Sequence, residues 1–244
     1  MIACPAGPLT VPTRASSADQ SFLSLIIPTF NERRNLTELI VVDDDSPDKT
    51  WEIATELAAT HPRLRVMRRL DERGLSSAVV RGWQVAQGDV LAVIDGDLQH
   101  PPEVTAALWR AMAAGADLAV ASRHVKGGGV SDWSLARRML SRGAQAIGLV
   151  LLPGVIGRVS DPMSGYFMIR RAAIAGVPLH PLGYKILVEV IGRGRVEHVA
   201  EVGYVFRERQ DGASKVTKRV YVDYIRHLVR LRIARWTGAA RGPR

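Results

Sequence analysis

The sequence predicts an α/β protein with an open, mostly parallel sheet and helices on both of its faces. Apolar, β-branched segments of strand length alternate with segments whose apolar residues recur at helical spacing. Polar clusters follow several of the apolar segments, which is typical of parallel strands whose carboxyl ends share one sheet edge. The 244 residues, 47% hydrophobic and 23% charged, suit one such domain with a real core.

The predicted elements alternate along the chain as this fold class requires. Strands are predicted at SLIIPTF, IVVDDDS, RLRVMRR, VLAVIDGD and DLAVASR, and later within DPMSGYFMIRR and VEHVAEVGYVFRER. Helices are predicted at SPDKTWEIATELAATHP, GLSSAVVRGWQVAQG, PPEVTAALWRAMAAG, WSLARRMLSRGAQAIGLVLL and HPLGYKILVEVIGRG. The loops after the strands are where a ligand is expected to bind.

Composition divides the chain into three parts. Residues 1–20 are rich in Pro, Ser and Ala and are predicted to form a flexible arm. Residues 21–218 are predicted to form the α/β domain, and residues 219–244 a basic amphipathic helix and tail. The apolar residues that recur at helical spacing in this last part are Val220, Tyr224, Leu228 and Leu231.

The net charge of +9 lies mostly at the C-terminal end. Residues 203–244 hold eleven Lys and Arg residues against three Asp and Glu residues, which favours contact with an anionic surface. The longest apolar stretch, 146–157, has 12 residues and contains Pro153, whereas a membrane span needs about 20. The single cysteine, Cys4, and the lack of a secretion signal favour a reducing compartment. We therefore expect a cytoplasmic protein whose C-terminal part contacts an anionic surface.

Two aspartates end the strand in LAVIDGDLQ. Asp95 and Asp97 repel each other unless a cation lies between them, and Gly96 lets a ligand approach the backbone. Carboxylate oxygens suit Mg²⁺ or Mn²⁺, which also bind substrate phosphates, and Gln99 offers a further neutral oxygen. The pattern predicts a divalent metal that holds a diphosphate, although a chance D-x-D in a solvated loop is a common alternative.

A second acidic cluster follows the neighbouring predicted strand. Asp43, Asp44 and Asp45 include at least one residue expected to cap the next helix and one expected to bind a nucleotide base or ribose. Glu32 is expected either to bind a ribose hydroxyl or to cap the first helix. Acidic clusters after two strands favour a functional site over a chance motif.

Eight motifs follow one another along residues 24–218, in the order IPTFNE, VVDDDSPD, RGLSSAVVRGW, DGDLQHPPE, ASRH, SDPMSGYFMIRR, GYKILVE and FRERQDGASK. In this order they resemble the motifs of family-2 glycosyltransferases with the GT-A fold, and within that family those of the dolichol- and polyprenol-phosphate mannose synthases. The resemblance implies an inverting transfer of a hexose, usually mannose from GDP-mannose, onto a polyprenyl phosphate, with Mg²⁺ or Mn²⁺ bound and with the protein associated peripherally with the cytoplasmic face of a membrane. Small membrane-anchoring subunits are possible partners, and nucleic acid is not expected.

The resemblance also implies roles for individual residues. Asp95, Asp97 and Arg123 would be catalytic, and Asp95, Asp97 and Gln99 would bind the metal. The acceptor phosphate would be bound by Arg123, Arg137 and Ser141. The donor nucleotide sugar would be bound by Pro28, Phe30, Glu32, Val42, Asp43, Asp44, Asp95, Gly96, Asp97, Gln99, Arg209 and Lys215.

The chain departs from the family pattern between its first two strands. Only nine residues separate Phe30 from Ile40, whereas a parallel crossover with its helix normally needs a dozen or more. The first helix is therefore barely two turns long, or residues that relatives carry are absent here. Two milder differences are Gly96 and Phe30, where relatives commonly have alanine and tyrosine.

Three alternatives to this function remain open from the sequence. The donor could be UDP-glucose or another nucleotide sugar with the same acceptor. The acceptor could be a sugar hydroxyl, which needs a general base, and Asp161 is the candidate base. A pI near 10.3 is also typical of nucleic-acid-binding proteins, although the charge lies at one end and no binding motif is present.

Overall fold

A seven-stranded sheet lies at the centre of the protein. The computed structural model describes residues 1–13, 23–25, 36–96, 99–130, 135–207 and 218–237, and for residues 23–25, 36–37, 135–141 and 218–221 it describes the backbone only. The strands of the sheet, in chain order, are β1 Leu23–Leu25, β2 Leu36–Asp43, β3 Leu64–Arg68, β4 Val90–Val93, β5 Leu118–Ser122, β7 Phe167–Arg170 and β8 Val199–Gly203. Two short strands, β6 Gly129–Val130 and β9 Val205–Phe206, form a separate parallel pair.

The spatial order of the strands is β3-β2-β1-β4-β7-β5-β8. All of the pairings in this sheet are parallel except those of β7, which runs antiparallel to both β4 and β5. The predicted open, mostly parallel sheet is therefore confirmed. Because β7 is reversed, the loop before it reaches the same edge as the carboxyl ends of β4 and β5.

Eight helices are described on the two faces of the sheet. Their bounds are α1 Thr50–Thr60, α2 Leu75–Val85, α3 Val104–Ala113, α4 Leu135–Leu151, α5 Pro153–Ile156, α6 Arg171–Ile174, α7 Ile186–Arg193 and α8 Lys218–Trp236. Strand β4 shows why both faces are covered: Leu91 and Val93 belong to one apolar core, and Val90 and Ala92 to the other. All four are buried, as expected of a strand with helices on both sides.

Several element boundaries differ from the sequence prediction, and buried contacts accompany two of the differences. Strand β2 begins at Leu36 rather than Ile40, because Glu38 is buried and bonds to Arg65 and to the backbone N–H of Gln87. Helix α2 ends at Val85 rather than near Gly88. The carbonyls beyond its end, those of Ala86 and Gly88, accept hydrogen bonds from the buried Arg171 guanidinium at 2.9 and 2.8 Å. The short crossover, residues 26–35, lies outside the described residues.

The prediction of a flexible arm is wrong for residues 1–13, which pack against the domain. The Ile2 N–H bonds to the Val66 carbonyl of edge strand β3 at 2.7 Å, and Val11 is fully buried and bridges to Ala175. Unpaired edge strands favour aggregation, so covering one is a reason for this segment to be ordered. Composition gives no sign of the packing, because Pro and Ala are compatible with either state. Residues 14–20 of the predicted arm lie outside the described part.

The C-terminal helix α8 forms as predicted but presents a different face to the outside. Its residues Tyr224, Leu228 and Leu231 are buried against α4 and α7, rather than free to lie in a membrane interface. Another set of its large apolar residues is exposed, namely Val222, Ile225, Val229, Ile233 and Trp236. Among the described helices, none combines the length and apolar character that crossing a bilayer requires.

Candidate active site

The site lies at the sheet edge where β2, β4 and β5 end. Asp43 is the last residue of β2, Asp95 lies two residues after β4, and Arg123 directly follows β5. In the strand order, β1 separates β2 from β4, and β7 separates β4 from β5. Neighbouring strands are about 4.8 Å apart, so the central strand end lies about 10 Å from each of the other two. Three of the predicted site residues therefore lie at one edge of the sheet.

Asp95 has a carboxylate that a ligand can reach. Its side chain is 32% exposed, and its Oδ2 lies 3.7 Å from Nε2 of the buried His100. On the other side it lies against Gly165, where an added Cβ would come within 2.8 Å of the same oxygen. A side chain at Gly96 would meet no atom of the described chain. The carboxylate is thus held in place while open space remains beside it.

Asp95 is the one predicted metal ligand whose carboxylate is described and open to a cation. No group of three or more His, Cys, Asp or Glu residues that could hold a metal is found within the described residues. Asp97, the second predicted metal ligand, is outside the described residues. The remaining predicted ligand, Gln99, is buried and donates its amide N–H to the Arg207 carbonyl at 3.1 Å. Asp95 offers the oxygen chemistry that Mg²⁺ and Mn²⁺ prefer, and the full ligand set stays a prediction.

The acidic cluster at the end of β2 is bonded to protein groups. Asp43 accepts hydrogen bonds from the backbone N–H and the hydroxyl of Ser46, both at 2.8 Å. Asp45, in a left-handed conformation, pairs with Arg68. The expected cap from this triplet is not found: the N-cap position of α1 is Lys49, which makes no side-chain capping bond, and the Thr50 N–H bonds to the Asp48 carboxylate at 3.1 Å.

Asp44 belongs to a charge network that reaches into the core. It accepts bonds from the Arg69 Nε at 2.6 Å and from the Gly74 N–H at 2.7 Å. The Arg69 side chain is fully buried and also bonds to Glu72 at 3.2 Å, and Glu72 in turn pairs with Arg81. The hydrogen bond from Arg81 outweighs burial and lowers the pKa of Glu72. The network fixes the loop that follows β3.

On the opposite side of Asp95, Arg123 and Asp161 form a buried ion pair. The Arg123 Nε and Nη2 each donate to one oxygen of Asp161 at 2.7 Å, and the Arg123 backbone N–H donates at 3.1 Å. The two side chains are 8% and 1% exposed. Burial opposes both charges, but the bidentate contact outweighs it, so the pKa of Asp161 is lowered and that of Arg123 is raised. Both groups are charged at neutral pH.

The loop that carries Asp161 is held by β8. The Glu201 carboxylate accepts the Ser160 N–H at 3.0 Å and the Ser160 hydroxyl at 2.6 Å. The Ser160 hydroxyl also lies 2.8 Å from the hydroxyl of Ser122, the last residue of β5. These bonds fix Asp161 relative to Arg123 before any ligand binds.

Lys185 is a site residue that the sequence does not single out. It lies directly before α7, and its Nζ donates to the Met163 carbonyl at 3.1 Å. Burial lowers the pKa of Lys185 and nearby Arg123 lowers it further, while Asp95 and Asp161 oppose these effects. The residue is part of the GYKILVE motif, but a lysine before a helix carries no signal that its side chain turns inward.

An aromatic cluster lies behind Asp95 and Arg123. His100 stacks on Tyr204 with ring centroids 5.4 Å apart and meets Tyr166 and Phe206 edge-on. The Arg123 guanidinium lies 5.6 Å from the centre of the Phe206 ring. These rings exclude water from one side of the site, which strengthens the charge interactions there.

Several predicted site residues cannot be placed. Pro28, Phe30, Glu32, Asp97, Arg209 and Lys215 lie outside the described residues. Arg137 and Ser141 lie within α4, of which only the backbone is described at those positions. Val42 is half-buried against one apolar core, next to Asp43. The nucleoside, metal and acceptor-phosphate assignments of these residues stay predictions.

The fold is the GT-A fold of the nucleotide-sugar transferases. The chain belongs to the glycosyl transferase family 2, whose sequence model matches residues 24–175. It is therefore a glycosyltransferase, and the alternative of a nucleic-acid-binding protein without transferase activity is not supported.

Curated relatives share much of the sequence. A dolichol-phosphate mannosyltransferase of Pyrococcus furiosus is 46% identical over 231 residues, which cover 88% of this chain and 64% of that protein. The chain thus spans less than two thirds of that relative. A polyprenol monophosphomannose synthase of Mycolicibacterium smegmatis is 37% identical over 215 residues, covering 79% of this chain and 80% of the relative.

Solved structures confirm the GT-A fold. Mannosyl-3-phosphoglycerate synthase from Rubrobacter xylanophilus matches with a TM-score of 0.62 and 22% identity, covering 90% of this chain and 75% of the other. Glucosyl-3-phosphoglycerate synthase from Mycobacterium tuberculosis, crystallised with Mn²⁺, UDP-glucose and phosphoglyceric acid, matches with a TM-score of 0.61 and 18% identity, covering 93% and 87%. At these identities the likeness concerns the fold alone.

Proposed function

We propose that the protein is an inverting mannosyltransferase that moves mannose from GDP-mannose onto a polyprenyl phosphate at the cytoplasmic face of a membrane. The names of the dolichol-phosphate and polyprenol relatives support the sugar and the acceptor. The observation that carries the proposal is the buried Arg123–Asp161 pair beside Asp95, because it provides a fixed cation for an anionic acceptor.

The hydrogen bonds and the lowered pKa of Asp161 support a phosphate acceptor. A sugar hydroxyl needs a general base, and Asp161 is the candidate for that role. Both of its oxygens accept bonds from Arg123 and its pKa is lowered, so it is a poor proton acceptor. A phosphate monoester needs no base, because its second pKa is near 6 and it is largely dianionic at neutral pH. The geometry favours a phosphate acceptor over a hydroxyl.

In the proposed reaction an acceptor phosphate oxygen forms a bond to the anomeric carbon from the face opposite the leaving group. The bond from that carbon to the donor diphosphate breaks, and the nucleoside diphosphate leaves with the electron pair. Arg123 holds the acceptor phosphate, assisted by Arg137 and Ser141, since a planar guanidinium matches phosphate oxygens. Asp95, Asp97 and Gln99 would hold Mg²⁺ or Mn²⁺, which neutralises charge on the leaving diphosphate.

We propose that the donor binds on the other side of Asp95. Asp43 and Asp44 lie at the carboxyl end of β2. We propose that the nucleoside pocket is completed by Pro28, Phe30, Glu32 and Val42. Gln99 is tied to Arg207 by two bonds, one of 2.9 Å from the Arg207 N–H to the Gln99 backbone carbonyl. Arg209 and Lys215 follow Arg207 closely in sequence, and we propose that they close over the diphosphate.

The test is transfer to lipid from a panel of labelled nucleotide sugars. The purified protein is incubated with a polyprenyl phosphate in detergent, Mg²⁺ or Mn²⁺, and GDP-mannose, UDP-glucose or other donors. We expect lipid-extractable label from GDP-mannose, and loss of at least about a hundredfold in Asp95→Asn. The control is Asp71→Asn, an exposed aspartate without a role in the site, which should match the parent. Label from UDP-glucose alone, or full activity of Asp95→Asn, would contradict the proposal.

A further inference from the structure

An open cavity of about 360 Å³ lies at the far end of α4 from the candidate acceptor residues. It is lined by residues 150–155, where α4 ends and α5 begins, and by Arg232 and Arg235 of α8. Helix α4 rises about 1.5 Å per residue, so the cavity lies about 20 Å along it from Arg137. It is therefore separate from the site of transfer.

Two anchored guanidinium groups face this cavity. Arg232 donates one N–H to the Leu151 carbonyl at 2.8 Å, and Arg235 donates one to the Gly192 carbonyl at 3.0 Å. These bonds place the positive charges at the ends of α4 and α7, where a cation is favourable. Such capping uses one of five N–H donors in each group. Neither arginine pairs with an acidic side chain within the described residues, so the cavity carries two positive charges without a protein anion.

Exposed apolar residues adjoin the cavity lining. Val150, which lines the cavity, is 77% exposed, and Ile233 and Trp236, which follow the lining residues Arg232 and Arg235 in sequence, are also exposed, Trp236 to 89%. From there the exposed apolar residues continue along α8 through Val229, Ile225 and Val222. A tryptophan beside aliphatic residues and arginines is typical of a helix that lies in the headgroup region of a bilayer. A free phosphate would need the arginines but not these apolar residues.

We propose that the cavity binds the headgroup phosphate of an anionic phospholipid, with the acyl chains lying on the exposed apolar residues of α4 and α8. The inference rests on the proposed function in that a polyprenyl phosphate acceptor requires the protein to reach a membrane. It goes further by assigning a second lipid site, distinct from the acceptor site. The bound lipid would fix how the transferase sits on the bilayer.

A charge-conserving substitution separates this site from general attraction between a basic helix and an acidic membrane. In Arg232→Lys/Arg235→Lys the net charge is unchanged but the planar forks are lost. We expect binding to phosphatidylcholine vesicles with about 20% phosphatidylglycerol to weaken about tenfold, measured by vesicle sedimentation. The matched control is Arg226→Lys/Arg230→Lys, on exposed positions of the same helix away from the cavity, which should bind as the parent does. Equal affinities for the parent and both variants would overturn the proposal.

A second pair of variants leaves the arginines unchanged: one introduces a side chain into the cavity, and the other is its control on α4. A Cβ added at Gly154, which lines the cavity, or at Gly143, on the exposed surface of α4, would have no described atom within 4 Å. Gly154→Glu is expected to weaken vesicle binding about tenfold more than Gly143→Glu, although both change the net charge equally. Inorganic phosphate at millimolar concentration should not compete; full displacement by it would identify a free-anion site and overturn the lipid assignment.

The lipid site and the proposed transfer can fail independently. All four cavity and control variants should retain parent transfer rates with polyprenyl phosphate in detergent, where no bilayer is present. Absence of transfer by the parent in detergent would refute the proposed function, and the vesicle results would still decide the lipid site. Loss of detergent transfer in Arg232→Lys/Arg235→Lys alone would show that the arginines serve the reaction instead, and would overturn the proposal.

Discussion

Asp44 and Asp161 lie on opposite sides of Asp95 at the sheet edge that carries the candidate site. Each pairs with a buried arginine, yet their surroundings differ. The Asp44 side chain is 30% exposed, and its partner Arg69 also bonds to Glu72. Asp161 is 1% exposed, and its carboxylate is bonded on both oxygens by Arg123. A ligand can compete for a carboxylate of the first kind. The second kind is a fixed charge that is organised before a ligand arrives.

This contrast matches the two roles that we propose, namely nucleoside binding near Asp44 and acceptor-phosphate binding by Arg123. A nucleoside offers hydroxyl and amide donors that can replace protein donors on exposed carboxylates such as Asp44. A phosphate dianion instead needs a cation that is already oriented, because reorientation during the reaction would raise the barrier. The burial of Arg123 and its anchoring by Asp161 meet that need.

The largest expected effect comes from breaking the buried pair. Asp161→Asn leaves the Arg123 guanidinium buried without its carboxylate, and we expect the free energy of unfolding to fall by about 3–5 kcal/mol. Asp44→Asn removes the matching group on the exposed side, where Arg69 keeps Glu72, and should cost about 1 kcal/mol. Urea denaturation of the two variants and the parent measures both. Equal losses would show that the two sides do not differ as their exposure indicates.

An intermediate effect is expected from moving the Asp95 carboxylate without changing its charge. Gly165 has an ordinary backbone conformation, so Gly165→Ala leaves the fold unstrained, but the new Cβ would lie 2.8 Å from the Asp95 Oδ2 and push it aside. We expect the affinity for Mn²⁺, measured by electron paramagnetic resonance, to fall about tenfold. Gly143→Ala, on an exposed helix position, is the control. Unchanged Mn²⁺ affinity in Gly165→Ala would contradict the assignment of Asp95 as a metal ligand.

The smallest effect is a pH dependence of stability. The pKa of Asp161 is lowered in the folded state, so its contribution to stability is complete above its unfolded pKa of about 3.9 and is lost as the pH falls through the folded value. Glu189 contributes in the same direction relative to the glutamate value of about 4.3: burial raises its pKa, but His227 and Arg193 lower it by more. The gap in unfolding free energy between the parent and Asp161→Asn should therefore narrow between about pH 5 and pH 3. A constant difference in unfolding free energy across that range would show that Arg123 does not lower the pKa of Asp161.

The sheet is predictable from the sequence because each strand carries its own signal. Runs such as that of β4 are apolar on both faces, and a polar residue follows directly at the edge. Asp43, Asp95 and Arg123 can therefore be assigned to one edge from their positions in the sequence alone. The concentration of positive charge at the C-terminal end and the presence of α8 can also be predicted, because both depend only on nearby residues in the sequence.

The remaining features depend on contacts between distant parts of the chain. Asp161 meets Arg123 only because β7 reverses direction and returns its preceding loop to the edge, and Lys185 is drawn inward by the Met163 carbonyl of that same loop. Periodicity identifies an apolar face of α8 without showing what covers it, and the structure shows that this face packs on α4 and α7. The packing of residues 1–13 requires an edge strand, which composition does not reveal.

The reversed strand β7 has a mechanical consequence. The five residues before Tyr166, from Asp161 to Gly165, contact the acceptor-side arginine at one end and the central aspartate at the other, with Lys185 fastened between them. One short backbone segment thus contacts both Arg123 and Asp95, instead of two independent loops. Under the proposed function, a displacement of this segment would move both residues together, so residues 161–165 would set the spacing between the acceptor phosphate and the donor diphosphate.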